Sequence, residues 1–251
     1  MTDDRVRLRS TFDSVAELYD RARPGYPPAL FDDLARLACV GPGCRVLEIG
    51  PGTGQLTLPL AERGCDIVAV ELGPRLAAVA RRKLRAFTAV EVVNADFETW
   101  PLPAERFDLV IAATAAHWLD TAVATEKTAA ALRPGGRVAT VETHHVQGGT
   151  SEYFVYAQDC YLRYDPATTE FLTLPRAADV PADEAVGRYE WEQAYTTGEY
   201  LDLLRTYSST LGLPASAAAD LLGCLGALID GRYAGRIVKR YLTQLRLTTP
   251  A

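Results

Sequence analysis

Lysine is nearly missing from this chain: of 26 basic residues only Lys83, Lys127 and Lys239 are lysines, a bias we read as codon usage rather than arginine-based recognition. Positive charge as a whole is in deficit. With a formal net charge of −6 there is no cationic surplus to follow a phosphate backbone or an anionic leaflet. No stretch reaches the roughly 20 apolar residues of a membrane span, and the opening MTDDRVRLRS lacks the apolar centre of a secretion signal. These absences predict a cytoplasmic chain that engages neither nucleic acid nor membrane. The five cysteines, Cys39, Cys44, Cys65, Cys160 and Cys224, are odd in number and form no CxxC pair, which argues against a disulfide framework and a zinc knuckle. Reduced thiols are expected. Internal repeats and low-complexity linkers are absent too.

What is present is apolar and ordered in alternation. A 48 % hydrophobic content over 251 residues supplies the core of one large domain, with 1–40 as an N-terminal helical lid, 41–146 and 187–251 as the core, and 147–186 as an inserted cap. In the first 40 residues Phe12, Val15, Leu18 and Tyr19 recur at helix spacing before the breaker RPGYPP. From Arg45 to His145 the runs RVLEI, DIVAVE, VEVVN, FDLVIAAT and RVATVETHH alternate with Ala/Leu/Arg-rich helical segments. Continuous apolar strands separated by helices imply a parallel sheet covered on both faces, because parallel neighbours need a crossover. Five βα units predict a doubly wound, Rossmann-like α/β fold. Gly64, Pro74 and the RPGG of 133–136 punctuate it at helix ends. Farther on, SEYFVYAQDCYLRY places Tyr153, Tyr156, Cys160 and Tyr164 on one helical face, RYEWEQAY alternates as a strand, helices are expected near 198–210 and 214–230, and RIVKRYLTQLRLT closes as a strand. Its face of Ile237, Tyr241, Leu245 and Leu247 is interrupted by Lys239 and Thr243.

The first strand leads into VLEIGPGTG. A dinucleotide fingerprint, G-x-G-x-x-G, aims backbone N–H groups at a pyrophosphate. Here Gly50, Gly52 and Gly54 are followed by Gln55 where the third glycine of that pattern would stand, Pro51 has no N–H, and Glu48 precedes the loop. Two like charges about 4 Å apart at an effective dielectric near 20 repel by roughly 4 kcal/mol. A cationic, phosphate-free nucleoside removes that conflict, and S-adenosylmethionine is one. Glu48 would attract its ammonium. Glu71, ending the second strand, would accept from the ribose hydroxyls, and Asp96, after the third, from the adenine amino group with Phe97 beside the ring. Each acid taken alone could equally be a solvated loop residue.

VLEIGPGTGQLTLPLAERG, VAVEL, VNADFETWPLPAERFDLVIAATAAHWLD and ALRPGGRVATVE closely resemble class I S-adenosylmethionine-dependent methyltransferases, nearest to the small-molecule type with YDRARPGYP in its N-terminal helix and HW after strand four. The resemblance spans roughly residues 10–145, and more loosely YTTGEYLDLLRTYS and the final strand. It implies a seven-stranded sheet with an antiparallel last strand, and an N-terminal segment folded over the cofactor. It places Glu48, Gly50, Gly52, Glu71, Leu72, Asp96, Phe97 and Thr114 on cofactor positions, and Tyr19, Arg23 and Tyr26 in the lid. There the tyrosines would cover the sulfonium and the arginine would meet the methionine carboxylate, although YDRARP could equally cap and pack a helix.

Methyl transfer from a sulfonium relies on holding the nucleophile in line, which can supply roughly 7–11 kcal/mol. A base is needed only where the acceptor loses a proton. His117, in AAHWLD, is the candidate, oriented by Asp120 or a backbone carbonyl; alternatively His117 and Trp118 form a packing unit. Glu142 and His144 share a strand face but have no third ligand in view, so no metal is expected. The aromatics Tyr153, Phe154, Tyr156, Tyr161, Tyr164, Tyr189, Trp191 and Tyr195 suggest either core or a lid shielding a small hydrophobic or aromatic acceptor. AATAAHW stands where amino-methylating DNA enzymes of this fold carry D/N-P-P-Y/F. The expectation is O- or N-methylation of a small molecule, slightly ahead of C-methylation, by a monomer or homodimer. The alternatives are a methyltransferase for a protein or carrier-bound substrate and a non-catalytic cofactor-binding module.

Overall fold

The computed structural model describes residues 11–165 and 174–250; the first ten residues of the expected lid and 166–173 of the expected cap lie outside it. After a 3₁₀ turn, Phe12–Val15, the chain forms α1 (Ala16–Ala22) and α2 (Pro28–Ala38). Pro28 opens α2, where a missing N–H costs nothing, and its Leu30, Phe31 and Leu34 are buried. Next come β1 (Arg45–Ile49), α3 (Thr57–Glu62), β2 (Asp66–Glu71), α4 (Pro74–Leu84), β3 (Val90–Asn94), β4 (Phe107–Ala113), α5 (Thr121–Ala131) and β5 (Leu132–Val146). The chain ends with α6 (Ser151–Tyr164), β6 (Ala185–Thr196), α7 (Thr197–Leu204), α8 (Ser208–Leu211), α9 (Ala215–Tyr233) and β7 (Arg236–Thr248).

Seven strands make one sheet in the order β3-β2-β1-β4-β5-β7-β6. All neighbours are parallel except β7, which runs antiparallel to both β5 and β6, so the Rossmann-like expectation holds. Two details differ. The link from β3 to β4 contains no helix, so four rather than five of the expected units are present in that form. Helix α5 passes directly into β5, with Arg133–Gly136 lying inside a register shift opposite Phe107 and Leu109 instead of in a separate loop.

Three apolar clusters hold these layers. Leu30, Leu34, Leu56, Leu60, Ala77 and Leu84 pack on one sheet face against Val46, Ile67 and Ile111. On the other face Leu47, Ile49, Val68, Val70, Phe97, Phe107 and Val110 gather. A separate core lies beyond β5, where Tyr153, Phe154, Tyr200, Leu203, Leu225 and Ile229 bury Tyr195, Ile237 and Tyr241. The buried face of α6 is Tyr153, Phe154, Ala157 and Cys160, turned from the predicted face toward Phe154 and Ala157 because α9 packs there. Cys160 and Cys224 are disulfide-bonded across a separation of 64 residues, correcting the expectation of five reduced thiols: the pairing arises only when α6 meets α9, and spacing along the chain carries no trace of it.

The N-terminal arm is held by charge and by the packing of Phe12, Ala16 and Tyr19 on Leu76 and Val79. Asp13 Oδ1 accepts from Arg75 N at 2.6 Å and Leu76 N at 3.1 Å, capping α4 from outside it, where the helix N-terminus favours an anion. Glu17 pairs with Arg82 at 2.7 Å and Asp20 with Lys83 at 2.8 Å. No helix among the described residues is long and apolar enough to cross a membrane.

Candidate cofactor and acceptor site

Parallel strands carry their C-terminal ends to one edge, and the loops that leave there form a crevice where the strand order reverses on either side of β1. A cavity of about 610 Å³ occupies this place. Of the predicted residues, Tyr19, Arg23, Tyr26, Glu48, Gly50, Gly52, Glu71, Leu72, Phe97, Thr114 and His117 line it.

The glycine loop is built around one carboxylate. Glu71 Oε2 accepts from Gly52 N at 2.9 Å and Oε1 from Gly73 N at 2.8 Å, so the loop after β1 and the loop after β2 are fastened together. Asn94 Nδ2 donates to the carbonyls of Glu71 and Leu72, both at 2.9 Å. Gly50 has φ +66° and Gly52 φ +60°, and a Cβ on Gly50 would lie 2.8 Å from the Ala115 side chain, so glycine is needed there for both conformation and space. With the Gly52 N–H already given to Glu71 and Pro51 lacking one, this turn has little left to offer a phosphate.

Glu48, at the end of β1, is 1 % exposed. Its Oε2 is buried without a hydrogen-bond partner. Burial, reinforced by the nearby Glu71 and opposed by Thr57, pushes its carboxyl up to about 8. Tyr26 reaches Thr114, oxygen to oxygen 3.3 Å, and burial raises its phenol above the ordinary range. Thr114 follows β4 with φ +52°, a left-handed conformation that costs a threonine energy and collects at functional turns. Its N–H donates to Val141 O at 2.7 Å.

Other predicted residues already carry contacts of their own. Arg23 donates from Nε to Thr206 Oγ1 and from Nη2 to Thr206 O, both at 2.8 Å, and lies over the rings of Tyr19 and Tyr207. Asp96 Oδ1 accepts from Glu98 N at 3.0 Å, and the cavity wall takes Ala95 and Phe97 on either side of it. Asp120 does not orient His117: it caps α5, accepting from Ala122 N and Val123 N. His117 is exposed and tilted 4.7 Å from Trp118, and partial burial lowers its imidazole, opposed by Glu142 across the cavity. Glu142 itself accepts from Arg246 Nη1 at 2.7 Å and lies 3.7 Å from His144 Nε2.

The acceptor side was largely missed from sequence. Of the eight aromatics gathered in and near the insertion, only Trp191 lines the cavity, and none of the described residues of 147–186 does. They form core: Tyr153 is fully buried, and Tyr189 donates to Asp33 on α2. The aromatic wall comes instead from Phe12, Tyr19, Trp118, Tyr207 and Tyr241, with Trp191 stacked on Tyr241 at 4.5 Å. Lys239, 3 % exposed, lies among them and donates to Tyr207 Oη at 2.8 Å. Burial pushes the Tyr207 phenol up, but Lys239 and Arg23 beside it bring it below its ordinary value. Besides Trp191, the interruption of the apolar face of β7 at Lys239 is the sequence signal for this end of the site. His145, packed edge-on against Phe154 at 4.3 Å, is held far below the usual imidazole value by burial and by Lys239 and stays neutral.

Comparison with known proteins fits this geometry. Residues 47–140 match the methyltransferase domain family. An uncharacterized methyltransferase of Mycobacterium tuberculosis is 40% identical over 141 residues, 56% of this chain and 55% of the relative; the chain thus spans about half the length of that relative. A demethylmenaquinone methyltransferase of Tropheryma whipplei is 28% identical over 186 residues, 67% of this chain and 75% of its own. Among solved structures, one described as a type II methyltransferase of Anaeromyxobacter dehalogenans superposes with a TM-score of 0.62 at 24% identity, covering 90% of this chain and 97% of that one.

Proposed function

We propose, from the match of residues 47–140 to the methyltransferase domain family, that the chain binds S-adenosylmethionine in the crevice above β1 and transfers the methyl group to a small acceptor. The observation that carries this reading is the buried, unpartnered Glu48 Oε2 beside a glycine turn. A buried carboxylate that lacks a partner is costly, and an ammonium offsets the cost where a phosphate would add to it. Glu48 then holds the amino group, Arg23 the carboxylate of the methionine moiety, and Tyr19 and Tyr26 cover it. Glu71 keeps its two backbone N–H bonds and accepts from the ribose with its remaining lone pairs, while Phe97 and Leu72 pack on the adenine. When bound, the cofactor supplies a methyl group on a sulfonium with a thioether as leaving group.

His117 receives the acceptor's proton. Its lowered value keeps the ring neutral and able to accept at neutral pH. The walls of Trp118, Trp191, Tyr207 and Tyr241 exclude water from the acceptor and favour a planar, aromatic one. This supports O- or N-methylation of a small molecule ahead of a protein or carrier-bound substrate, which calls for an open groove. Localisation in the cytoplasm and a monomeric or dimeric state remain part of this proposal.

Titration calorimetry with S-adenosylhomocysteine, with NAD and ATP as controls, tests the cofactor. Binding of the first alone is expected, weakened by about 1–3 kcal/mol in Glu71→Ala because hydroxyls lose their acceptor; unchanged affinity in that variant contradicts the ribose role. Labelled-methyl transfer into fractionated cell extract tests the acceptor. Label in the small-molecule fraction is expected, label in protein favours the second reading, and tight cofactor binding with no label in any fraction favours a binding module.

A further inference from the structure

Lys239 is a buried cation that the cofactor chemistry leaves unused. It projects from β7, and among the described residues no carboxylate lies within ion-pair distance of it. Of its three donors one reaches Tyr207 Oη at 2.8 Å. Its ammonium sits 5.2 Å from the ring centres of both Tyr207 and Tyr241. Ring faces ease the burial of a cation but bring no opposite charge, and an unpaired buried ammonium is disfavoured. The acidic groups of the cavity are committed elsewhere. Glu142 is bonded to Arg246, and Glu48 and Glu71 stand at the glycine turn. Arg23, the next cation, has only the neutral Thr206 as a hydrogen-bond partner among the described residues. Beside Lys239, His145 lines the same cavity with its Nε2 buried and unpartnered.

Resting on the methyltransferase reading, we propose that Lys239 is a specificity residue that anchors the carboxylate of an aromatic acid, with His145 completing the anion's hydrogen bonds and the Trp191–Tyr241 stack forming the wall along its ring. The acceptor is then an anion as well as aromatic. Neutral aromatics of the same shape leave the ammonium uncompensated and bind more weakly.

The test uses the full chain saturated with S-adenosylhomocysteine, whose own affinity is measured first in every variant. 4-Hydroxybenzoate and indole-3-acetate are titrated against their uncharged primary amides. Wild type is expected to prefer each acid by about tenfold or more, in line with the strength of a charge-assisted bond. Lys239→Met should bring acid and amide to parity with cofactor affinity unchanged, and Lys239→Arg should keep part of the preference. Tyr207→Phe removes the competing hydrogen-bond partner while leaving the cation, so the preference should persist. Failure of wild type to discriminate, or discrimination that survives Lys239→Met, overturns the proposal. So does loss of cofactor affinity in Lys239→Met, which would make Lys239 a ligand of the methionine carboxylate instead. A phenolate absorbance band at neutral pH that vanishes in Tyr207→Phe overturns it as well, since Tyr207 would then supply the missing anion. Absence of cofactor binding in wild type, by contrast, defeats the methyltransferase reading.

Discussion

The cofactor end and the acceptor end of this cavity are built by opposite means. Around the glycine turn Glu48, Glu71, Phe97 and Thr114 sit within a few residues of a strand end, and Glu71 ties two consecutive βα loops through Gly52 and Gly73. Around Lys239 the wall is assembled from the arm, the region after α7 and two antiparallel strands, with Trp191 facing Tyr241 across the β6–β7 pair. The first end is fixed by local chain geometry. The second depends on contacts between segments far apart in sequence, and on a disulfide. Such a division lets one half stay constant while the other takes on a different acceptor.

If the halves are separable, reducing the disulfide should damage only one. Cys160→Ser is expected to destabilise the acceptor half by about 2–4 kcal/mol, as for a long closed loop. Hydrogen exchange should rise in α6 and α9 while S-adenosylhomocysteine still binds; uniform exchange across the sheet would show one cooperative unit. His117→Ala, on the acceptor side, should lower turnover about 10²-fold with cofactor affinity unchanged. Wild-type turnover should fall only below the usual imidazole value of about 6.5, because a depressed His117 loses its proton early; identical pH profiles for the two proteins would remove it as a base.

Glu48→Gln sharpens the cofactor side. Loss of the charge should weaken S-adenosylhomocysteine by about 1.5–3 kcal/mol. The same carboxyl imposes a pH slope on the apo protein. Its folded value is near 8, above the unfolded value of about 4.3, so between these the unfolded chain releases the proton first. Stability therefore falls as pH rises through that window. Melting curves of Glu48→Gln should lack this slope, and cofactor binding by wild type at neutral pH should release a proton, read from calorimetry in buffers of different ionisation enthalpy. The smallest effect belongs to Asp96→Asn. Its Oδ1 is engaged with Glu98 N, and an asparagine oxygen can replace it, so a loss below about 0.5 kcal/mol in cofactor affinity is expected; a larger loss would support Asp96 as an adenine ligand.

Legibility followed the same boundary. The strands β1 to β5, the turn and its acids were readable because apolar runs, glycines and a misplaced charge are local signals. The helix-free β3–β4 link was misread since LPAERF carries neither strand nor helix period strongly. The insertion's aromatics could be core or lid, because composition reports only that rings cluster, while packing decides for core by turning Tyr153 and Phe154 to α9 and Tyr189 to α2. Lys239 announced itself as a break in an apolar face, yet its partner Tyr207 lies 32 residues away, beyond any periodicity.

The two coverings of the crevice are secured unequally. The helical layer behind Tyr241 is riveted by a covalent bond between Cys160 and Cys224, whereas the N-terminal arm rests on a small apolar cluster and on Glu17–Arg82, Asp20–Lys83 and the Asp13 cap, the charged contacts being ones that added electrolyte weakens. Traffic of ligands should pass under the arm, with ionic strength setting how fast the doorway opens and reductant having little say.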